Sequence, residues 1–420
     1  MLNVESICKH AKRASRPLAL ILTEKKDRAL TTLSEWLLAH QDEIIRENEI
    51  DIRNGRTAGL SPAMIDRLTL TPTRIRGMAD DLLSVTNLPD PVGEVFEEKN
   101  LENGLHLKKQ RVPLGVLAVI YESRPNVTID VASLALKSGN AVILRGGKET
   151  IHSNRVLVGG IHDALQTVDI DPDVVQFISD PDRKLVEQLL TMYKYVDMLI
   201  PRGGAGLHRY CREHSTIPVI TGGIGVCHLF VDESTDLNRS LEVIRNAKIQ
   251  RPTVCNALDT VLVHKAAAVD FIPQLVDHLK EDGVAFRLDD RAMEFLPEKH
   301  DAEVQLAGKD DFDTEWLSLV LGVKVVDGID DALMHISQHS TGHSDGILTE
   351  NDENANRFTA EVDSAVVYVN ASTRFTDGTQ FGLGAEVAIS TQRLHARGPM
   401  PLRELTTYKW IVRGNYHFRQ

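Results

Sequence analysis

The stretch KIQRPTVCNALDTVLVH, from Lys248 to His264, places one cysteine, Cys255, between a predicted helix and a predicted strand. The helix is predicted over 236–248 because leucine and isoleucine recur on one face, and the apolar run 258–263 predicts a buried strand. Pro252 ends the helix, since proline lacks an N–H and restricts the residue before it. Cys255 is therefore either a nucleophile that a substrate can reach or a small buried apolar residue.

Strands and helices alternate on both sides of this stretch. Upstream, 115–121 and 141–144 are apolar runs typical of strands covered on both faces, and 126–138 between them predicts a helix. Downstream, 321–326 and 365–370 predict further strands. The alternation indicates an α/β fold, in which ligands bind near the carboxyl ends of parallel strands.

The two ends of the chain have a different character. Residues 1 to about 90 are predicted to be helical from their apolar periodicity. Segment 94–111 is polar and contains Asn103-Gly104, a hairpin-turn signal, and the tail from Pro399 returns to polar, extended sequence. The hairpin is either an arm that pairs with another subunit or an ordinary surface hairpin.

The composition is that of an ordinary soluble globular protein. The 420 residues are 42% hydrophobic and 25% charged, and this length suggests two or three domains. The formal net charge of −13 argues against nucleic acid or an anionic membrane as a partner. The four cysteines show no zinc or disulfide spacing, and no stretch has the length of a membrane span. We expect a cytoplasmic protein in a reducing compartment.

Two glycine-rich turns follow predicted strands and could hold phosphate. The residues concerned are Arg145, Gly146, Gly147 and Lys148 in the first turn, and Arg202, Gly203 and Gly204 in the second. Helix N-termini attract phosphate, and the basic residues would add positive charge. Because the G-x-G-x-x-G pattern is absent, the turns either bind a dinucleotide or serve the backbone alone.

Three histidines, His335, His339 and His343, recur at every fourth position. On one helix this spacing would align three imidazoles, as metal ligands can be aligned. However, Ser340-Thr341-Gly342 is predicted to end the helix before His343. No further ligand set with metal-site spacing is present in the sequence, so no metal site is predicted.

Several ordered segments, from about Pro113 to Glu386, resemble the aldehyde dehydrogenase superfamily. Within it the chain is similar to the gamma-glutamyl phosphate reductase family. VDGIDDALMHISQHSTGHSDGI, residues 326–347, matches that family's signature V-x5-A-[LIV]-x-H-I-x2-[HY]-[GS]-[ST]-x-H-[ST]-[DE]-x-I at every defined position. RVPLGVLAVIYESRPNVT (111–128) and QRPTVCNA (250–257) are similarly close to it.

The resemblance implies an aldehyde dehydrogenase-like α/β fold with two Rossmann-like α/β domains and a small β oligomerisation element. We expect an NAD(P)-binding domain over 1–230, completed by about 370–395, and a catalytic domain over 231–369. The hairpin 94–112 and the tail 400–420 would form the oligomerisation element. A homo-oligomer, dimer or tetramer, is therefore expected.

The resemblance also implies roles for individual residues. Cys255 stands at the position of the catalytic thiol, and Asn126 at that of the oxyanion-hole amide. Glu315 stands where a glutamate holds the nicotinamide ribose. The turn 145–148 stands where a lysine faces the adenosine ribose, and the turn 202–207 stands near the pyrophosphate. Two basic residues in the first turn favour NADPH as the cofactor.

One departure from the superfamily bears on the reaction. Hydrolytic members carry a glutamate, the base that activates water, just before a Gly-Gly pair; here Ile220-Thr221 precede Gly222-Gly223. The implied function is NADPH-dependent reduction of gamma-glutamyl phosphate to glutamate 5-semialdehyde and phosphate through a Cys255 thioester, in proline synthesis. The alternatives are an NAD-dependent hydrolytic aldehyde dehydrogenase acting on another small aldehyde, and a non-catalytic member that binds a partner.

An amino acid substrate brings a carboxylate, for which an arginine is expected. Arg124, Arg251 and Arg374 are candidates. The loop 339–345, with His343, either borders the substrate pocket or is a packing element. The acyl phosphate is labile, so transient contact with the glutamate 5-kinase that makes it is expected.

Overall fold

The computed structural model describes residues 3–297 and 301–419, which divide into two compact units. The first unit comprises the chain up to Thr221, Gly382–Ala388 and the segment from Met400; the second comprises Gly222–Phe381 and Ile389–Pro399.

The helices are α1 (Val4–Leu18), α2 (Thr23–Ala39), α3 (Gln41–Thr57), α4 (Pro62–Leu68), α5 (Pro72–Thr86), α6 (Asn126–Lys137), α7 (Ile151–Thr167), α8 (Arg183–Leu189), α9 (Ala205–His214), α10 (Leu237–Ile249), α11 (Lys265–Lys280), α12 (Asp290–Met293), α13 (Ile329–His339) and α14 (Asp352–Glu361). The strands are β1 (Val95–Asn100), β2 (His106–Pro113), β3 (Val116–Tyr121), β4 (Ala141–Arg145), β5 (Val175–Phe177), β6 (Met198–Arg202), β7 (Cys227–Val231), β8 (Leu258–His264), β9 (Ala285–Leu288), β10 (Val304–Leu306), β11 (Val320–Val326), β12 (Ser344–Leu348), β13 (Val366–Val369), β14 (Ile389–Ser390), β15 (Gly398–Pro399) and β16 (Thr406–Arg413).

The first unit is built on a four-stranded parallel sheet with the order β5-β4-β3-β6. Strands β3 and β4 are buried along their whole length, as their continuous apolar sequences predicted. Helix α6 begins at Asn126 and is followed by Gly139, whose φ of +75° lies in the left-handed region that suits glycine after a helix. The α/β arrangement expected for this segment is confirmed.

A three-stranded antiparallel sheet, β1-β2-β16, belongs to the same unit. Asn103-Gly104 lies between β1 and β2, with Gly104 at a φ of +85°. Tyr408, Trp410 and Val412 alternate along β16 and are about half exposed, and Phe96 packs edge-to-face on Tyr408 with ring centroids 5.7 Å apart. The sheet thus presents exposed apolar side chains, which are typical of a protein–protein contact.

The second unit contains a seven-stranded parallel sheet in the order β10-β9-β11-β8-β7-β12-β13. Three of its strands, β7, β9 and β12, are absent from the sequence prediction. Strand β7 pairs with β8 and β12, and the boundary between the two compact units lies at 221/222. Of residues 370–395, segment 382–388 belongs to the first unit and the remainder to the second.

Helices cover both faces of this second sheet. Apolar side chains of α10 and α11 pack with those of β8 and β11 in one large core cluster. A smaller cluster joins α13 and α14 to the sheet. The central strand β8 is buried except at its last residue, so the loop before it is held at the amino end of a rigid strand. That loop carries Cys255.

Among the described residues, the helices lack the combination of length and apolarity that crossing a membrane requires.

Candidate active site

The first glycine turn of the first unit uses its two basic residues differently. The buried guanidinium of Arg145 donates to the carbonyls of Gly146 and Pro181 at 2.9 and 2.8 Å, and burial lowers its pKa. Lys148 is exposed at the end of the turn. No side chain fits at Gly146, where a Cβ would lie 2.2 Å from a buried asparagine amide. Arg145 therefore shapes the turn, and Lys148 presents its charge to solvent.

The second glycine turn leads into the amino end of α9. The carboxylate of Glu122 accepts from the N–H of Gly204 at 3.1 Å, and a Cβ at Gly203 would lie 2.5 Å from the same carboxylate. Nothing lies within 4 Å of a Cβ built at Gly204 or Gly206. The first turn of the helix is therefore open to a ligand. An open helix N-terminus together with an exposed lysine fits the phosphates of a dinucleotide.

Asn126 lies at the start of α6, with its side chain held by a residue one turn later. Its Nδ2 donates to Oδ2 of Asp130 at 2.9 Å, which leaves its second N–H for another acceptor. Burial, followed by the nearby charge of Asp81, raises the pKa of Asp130 to about 7, although Asn126 and Arg202 oppose the shift. Arg124, partly buried, lies in the turn between β3 and α6.

Cys255 lies in the loop between α10 and β8 of the second unit. Of the four cysteines, all in the described part of the chain, it alone is partly exposed; Cys8, Cys211 and Cys227 are buried. The exposure agrees with the nucleophile hypothesis rather than with the alternative of a small buried apolar residue.

The backbone of Cys255 packs against a glycine that has no room for a side chain. A Cβ at Gly225 would lie 1.5 Å from the Cys255 carbonyl oxygen, and the same oxygen accepts from the Sγ of Cys227 at 3.3 Å. The N–H of Gly225 donates to Oε1 of Glu315 at 3.0 Å. Burial raises the pKa of Glu315. Within this unit the structure thus brings together Cys255 and Glu315, two residues singled out from the sequence.

The signature segment 326–347 supports the glycine loop. Thr341 accepts from the N–H of Val226 at 3.0 Å and donates to the carbonyl of Ile224 at 2.8 Å, so it holds the backbone on both sides of Gly225. The completely buried Asp345 anchors the segment, accepting hydrogen bonds from the backbone and ring of one histidine and from two serines. The signature therefore positions the loop against which Cys255 packs.

Of the three histidines of the signature, His335 and His339 lie side by side, with ring centroids 4.3 Å apart. Helix α13 ends at His339, as predicted, so His343 lies beyond it. His339 pairs with Asp313 at 2.8 Å, and His335 contacts the ammonium of Lys324 at 3.2 Å. Residues 3–297 and 301–419 contain no cluster of three or more histidine, cysteine or carboxylate groups suited to a metal ion.

His343 is completely buried, and its Nδ1 lies 2.8 Å from Oγ of Ser344. Burial lowers the pKa of its imidazole to about 4, which keeps the ring neutral near pH 7. Complete burial argues against a direct contact with substrate, and it favours the alternative of a packing element.

A buried ion pair lies beneath the cysteine loop. Lys248, at the end of α10, donates to the carbonyl of Leu258 at 2.7 Å, and its Nζ lies 3.5 Å from Oδ1 of Asp259. That carboxylate also accepts from the N–H of Trp316 at 3.2 Å. Burial raises the pKa of Asp259 to about 6 and lowers that of Lys248. The pair links both ends of the loop that carries Cys255.

Several of these supporting groups are absent from the sequence prediction. Asp130 could have been found, because it follows Asn126 by four residues and therefore shares its helix face. Glu122 and Gly225 carry no comparable signal, since each acts through a contact with a distant segment.

The profile of the aldehyde dehydrogenase family matches residues 2–295. The chain belongs to the aldehyde dehydrogenase family. Gamma-glutamyl phosphate reductase from Psychromonas ingrahamii is 57% identical over 413 residues, which are 98% of this chain and 99% of that protein. Gamma-glutamyl phosphate reductase from Escherichia coli is 56% identical over 409 residues, 97% of this chain and 98% of that protein.

A solved structure gives the same result for the fold. The crystal structure of gamma-glutamyl phosphate reductase from Thermotoga maritima is 46% identical, superposes with a TM-score of 0.96, and covers 99% of this chain and 100% of that one. The aldehyde dehydrogenase-like α/β fold and the membership expected from the signature are confirmed. Within the family, the chain groups with the gamma-glutamyl phosphate reductases.

Proposed function

We propose that the chain catalyses the NADPH-dependent reduction of gamma-glutamyl phosphate to glutamate 5-semialdehyde and phosphate, a step of proline synthesis. The observation that carries the proposal is the 57% identity to a gamma-glutamyl phosphate reductase over 98% of the chain. The partial exposure of Cys255, in a loop clamped by the family signature, supports it.

Cys255 is the nucleophile of this proposal. Its thiolate attacks the acyl carbon of the substrate, and the carbon–oxygen bond to phosphate breaks, with the phosphate keeping the electron pair. The backbone N–H of Cys255 and the side-chain amide of Asn126 are assigned to the oxyanion. Loss of one such donor typically lowers kcat by about a hundredfold to a thousandfold. A rigid strand after the cysteine and an occluded glycine beside it support a fixed position for the sulfur.

The chain supplies no carboxylate where hydrolytic relatives have their base, because Ile220 and Thr221 occupy that place. The thioester on Cys255 is therefore protected from activated water and persists until it is reduced. A bound nicotinamide cofactor supplies the hydride for that reduction. The thiohemiacetal then collapses to the aldehyde and the free Cys255 thiolate, which restores the enzyme.

Cofactor use follows from the family, and we propose NADPH as the preferred form. Lys148, exposed in the turn that follows β4, is assigned to the 2′-phosphate, and the open amino end of α9 to the pyrophosphate. Glu315 is assigned to the nicotinamide ribose. If the assignment is correct, Lys148→Ala should raise KM for NADPH about tenfold, the value of a charge-assisted contact, with KM for NADH unchanged.

Phosphate dependence of the reverse reaction tests the function. The purified protein would receive glutamate 5-semialdehyde and NADP⁺, with and without inorganic phosphate, and absorbance of the reduced cofactor would be followed. A rate that requires phosphate is expected. An equal rate without phosphate would mean that water resolves the thioester, in favour of the hydrolytic alternative. No turnover despite intact cofactor binding would contradict the reductase assignment.

Oligomerisation is proposed for the antiparallel sheet β1-β2-β16. The exposed side chains Phe96, Tyr408 and Trp410 support an interface with another copy of the chain. Analytical ultracentrifugation of Trp410→Glu against the unmodified protein tests this, and the variant should sediment as a smaller species. Identical sedimentation of the two proteins would exclude this surface.

A further inference from the structure

Two arginines, Arg251 and Arg374, lie in the second unit on segments that are joined to the cysteine loop by hydrogen bonds. Arg374 lies in the 3₁₀ turn Thr373–Phe375, and its Nε donates to Oε1 of Gln250 at 3.0 Å. Gln250 directly precedes Arg251. Among the neighbouring charges, the positive charge of Arg251 has the largest effect on the pKa of the Arg374 guanidinium, which it lowers. The charge of Cys255 has the next largest effect and raises the same pKa.

Hydrogen bonds tie the Arg374 turn to the cysteine loop. The amide of Asn256, the residue after Cys255, donates to the carbonyl of Thr376 at 2.9 Å and to that of Arg374 at 3.4 Å. The hydroxyl of Thr373 donates back to the carbonyl of Asn256 at 2.7 Å. Because Asn256 is buried, these bonds are shielded from water. The backbone that carries Arg374 is therefore held in a defined position relative to the sulfur.

Neighbouring carboxylates compensate the positive charge of this pair only in part. Across residues 3–297 and 301–419, neither Arg251 nor Arg374 makes an ion pair with a carboxylate. Asp377 attracts Arg374 less strongly than Arg251 repels it, and its carboxylate is engaged by the N–H groups of Thr379 and Gln380. Burial and then Arg251 lower the pKa of Arg374, a direction that a bound anion would oppose.

We propose that Arg251 and Arg374 form the subsite for the phosphate group of the acyl phosphate, rather than for the carboxylate at its other end. The inference rests on the proposed function. In gamma-glutamyl phosphate a single oxygen separates phosphorus from the carbon that Cys255 attacks, whereas three carbons separate that carbon from the carboxylate. Guanidinium groups beside the sulfur therefore meet the phosphate first. The planar fork of arginine also matches phosphate oxygens in pairs.

The subsite acts in both directions of the reaction. As the thioester forms, the departing phosphate carries away the electron pair of the broken carbon–oxygen bond, and the two guanidinium groups stabilise that charge. In reverse, they hold inorganic phosphate against the thioester so that its oxygen attacks the acyl carbon and the Cys255 thiolate leaves. The pair also keeps positive charge beside the thiolate between turnovers.

Steady-state kinetics of the reverse reaction distinguishes the two ends of the substrate. Arg251→Gln and Arg374→Gln should each raise KM for phosphate by about tenfold to a hundredfold, the range for a hydrogen bond to a charged group, and leave KM for the semialdehyde unchanged. Arg374→Lys should recover part of the loss. The control is Arg239→Gln, an exposed arginine on α10 that should match the wild type. A raised KM for the semialdehyde alone would overturn the proposal.

Alkylation of Cys255 gives a readout that does not depend on turnover. For each protein, the rate of alkylation by the anion iodoacetate is divided by the rate with neutral iodoacetamide. This ratio should be higher for the wild type than for either glutamine variant. Inorganic phosphate should slow the iodoacetate reaction only where both arginines are present. Equal ratios in all proteins would overturn the subsite. If the wild-type reverse rate proves independent of phosphate, the proposed function fails, and protection by phosphate in this assay alone decides whether the anion subsite exists.

Discussion

The carboxyl group of Asp130 is buried beside Asn126, and we expect this burial to lower the free energy of unfolding at neutral pH. Replacing Asp130 by asparagine tests this expectation. Burial raises the pKa of Asp130 from the ordinary 3.8 to about 7. Between these two values the folded protein holds a proton that the unfolded chain has released. The free energy of unfolding is therefore highest below about pH 4 and falls as the pH rises to about 7. At about 1.4 kcal/mol for each pKa unit, the whole loss is about 4 kcal/mol, of which about 3 kcal/mol falls between pH 5 and pH 8.

Asparagine does not titrate, and its carbonyl still accepts the amide hydrogen of Asn126. We therefore expect urea unfolding, followed by circular dichroism, to show that Asp130→Asn gains about 3 kcal/mol relative to the wild type between pH 5 and pH 8. The matched control is Asp163→Asn, an exposed aspartate on α7, which should not show this gain of about 3 kcal/mol. The reasoning is refuted if Asp130→Asn follows the pH dependence of the wild type.

Three further substitutions probe the nucleophile and its support. Cys255→Ala should abolish turnover in the absorbance assay while NADPH binding, measured by fluorescence titration, is retained; residual turnover would exclude the thiol as nucleophile. Gly225→Ala should lower kcat by about a hundredfold, because the new methyl group would displace the Cys255 carbonyl. The control is Gly77→Ala, which has open space around the new methyl group and should match the wild type. Lys248→Met leaves Asp259 buried without its partner and should lower the free energy of unfolding by about 3–5 kcal/mol at pH 8. The loss should be smaller at pH 5, because Asp259 is protonated there. An equal loss at both pH values would contradict this expectation.

The sequence predicted those strands whose burial follows from their own side chains. Strands β3, β4, β8 and β11 are continuous apolar runs, and each appears close to its predicted bounds. Strands β7 and β12 were missed because they contain His228 and Asp345, polar residues that sequence patterns assign to the surface. Both are completely buried, and Nδ1 of His228 lies 3.0 Å from Oδ1 of Asp345, so the two polar groups are paired inside the sheet. A pairing between residues so distant in sequence leaves no periodic signal along the chain.

The same limit applies to the site. The position of Cys255 was accessible because a helix, a proline and an apolar strand frame it locally. Its neighbours Gly225 and Arg374 come from other segments and are brought to the loop by the folded sheet. The signature around Asp345 identified the family, but its physical role became evident only when Thr341 was seen to hold the glycine loop.

The pairing of β2 with β16 has a consequence for synthesis on the ribosome. The two strands pair from Thr406 opposite Pro113 to Arg413 opposite His106, so the antiparallel sheet of the first unit closes with residues translated after the whole second unit. One edge of β2 stays open while the ribosome adds nearly three hundred residues. Open strand edges recruit other chains. The nascent polypeptide therefore passes through a long interval in which chaperone protection of this edge would matter most, and that interval ends only when β16 leaves the exit tunnel.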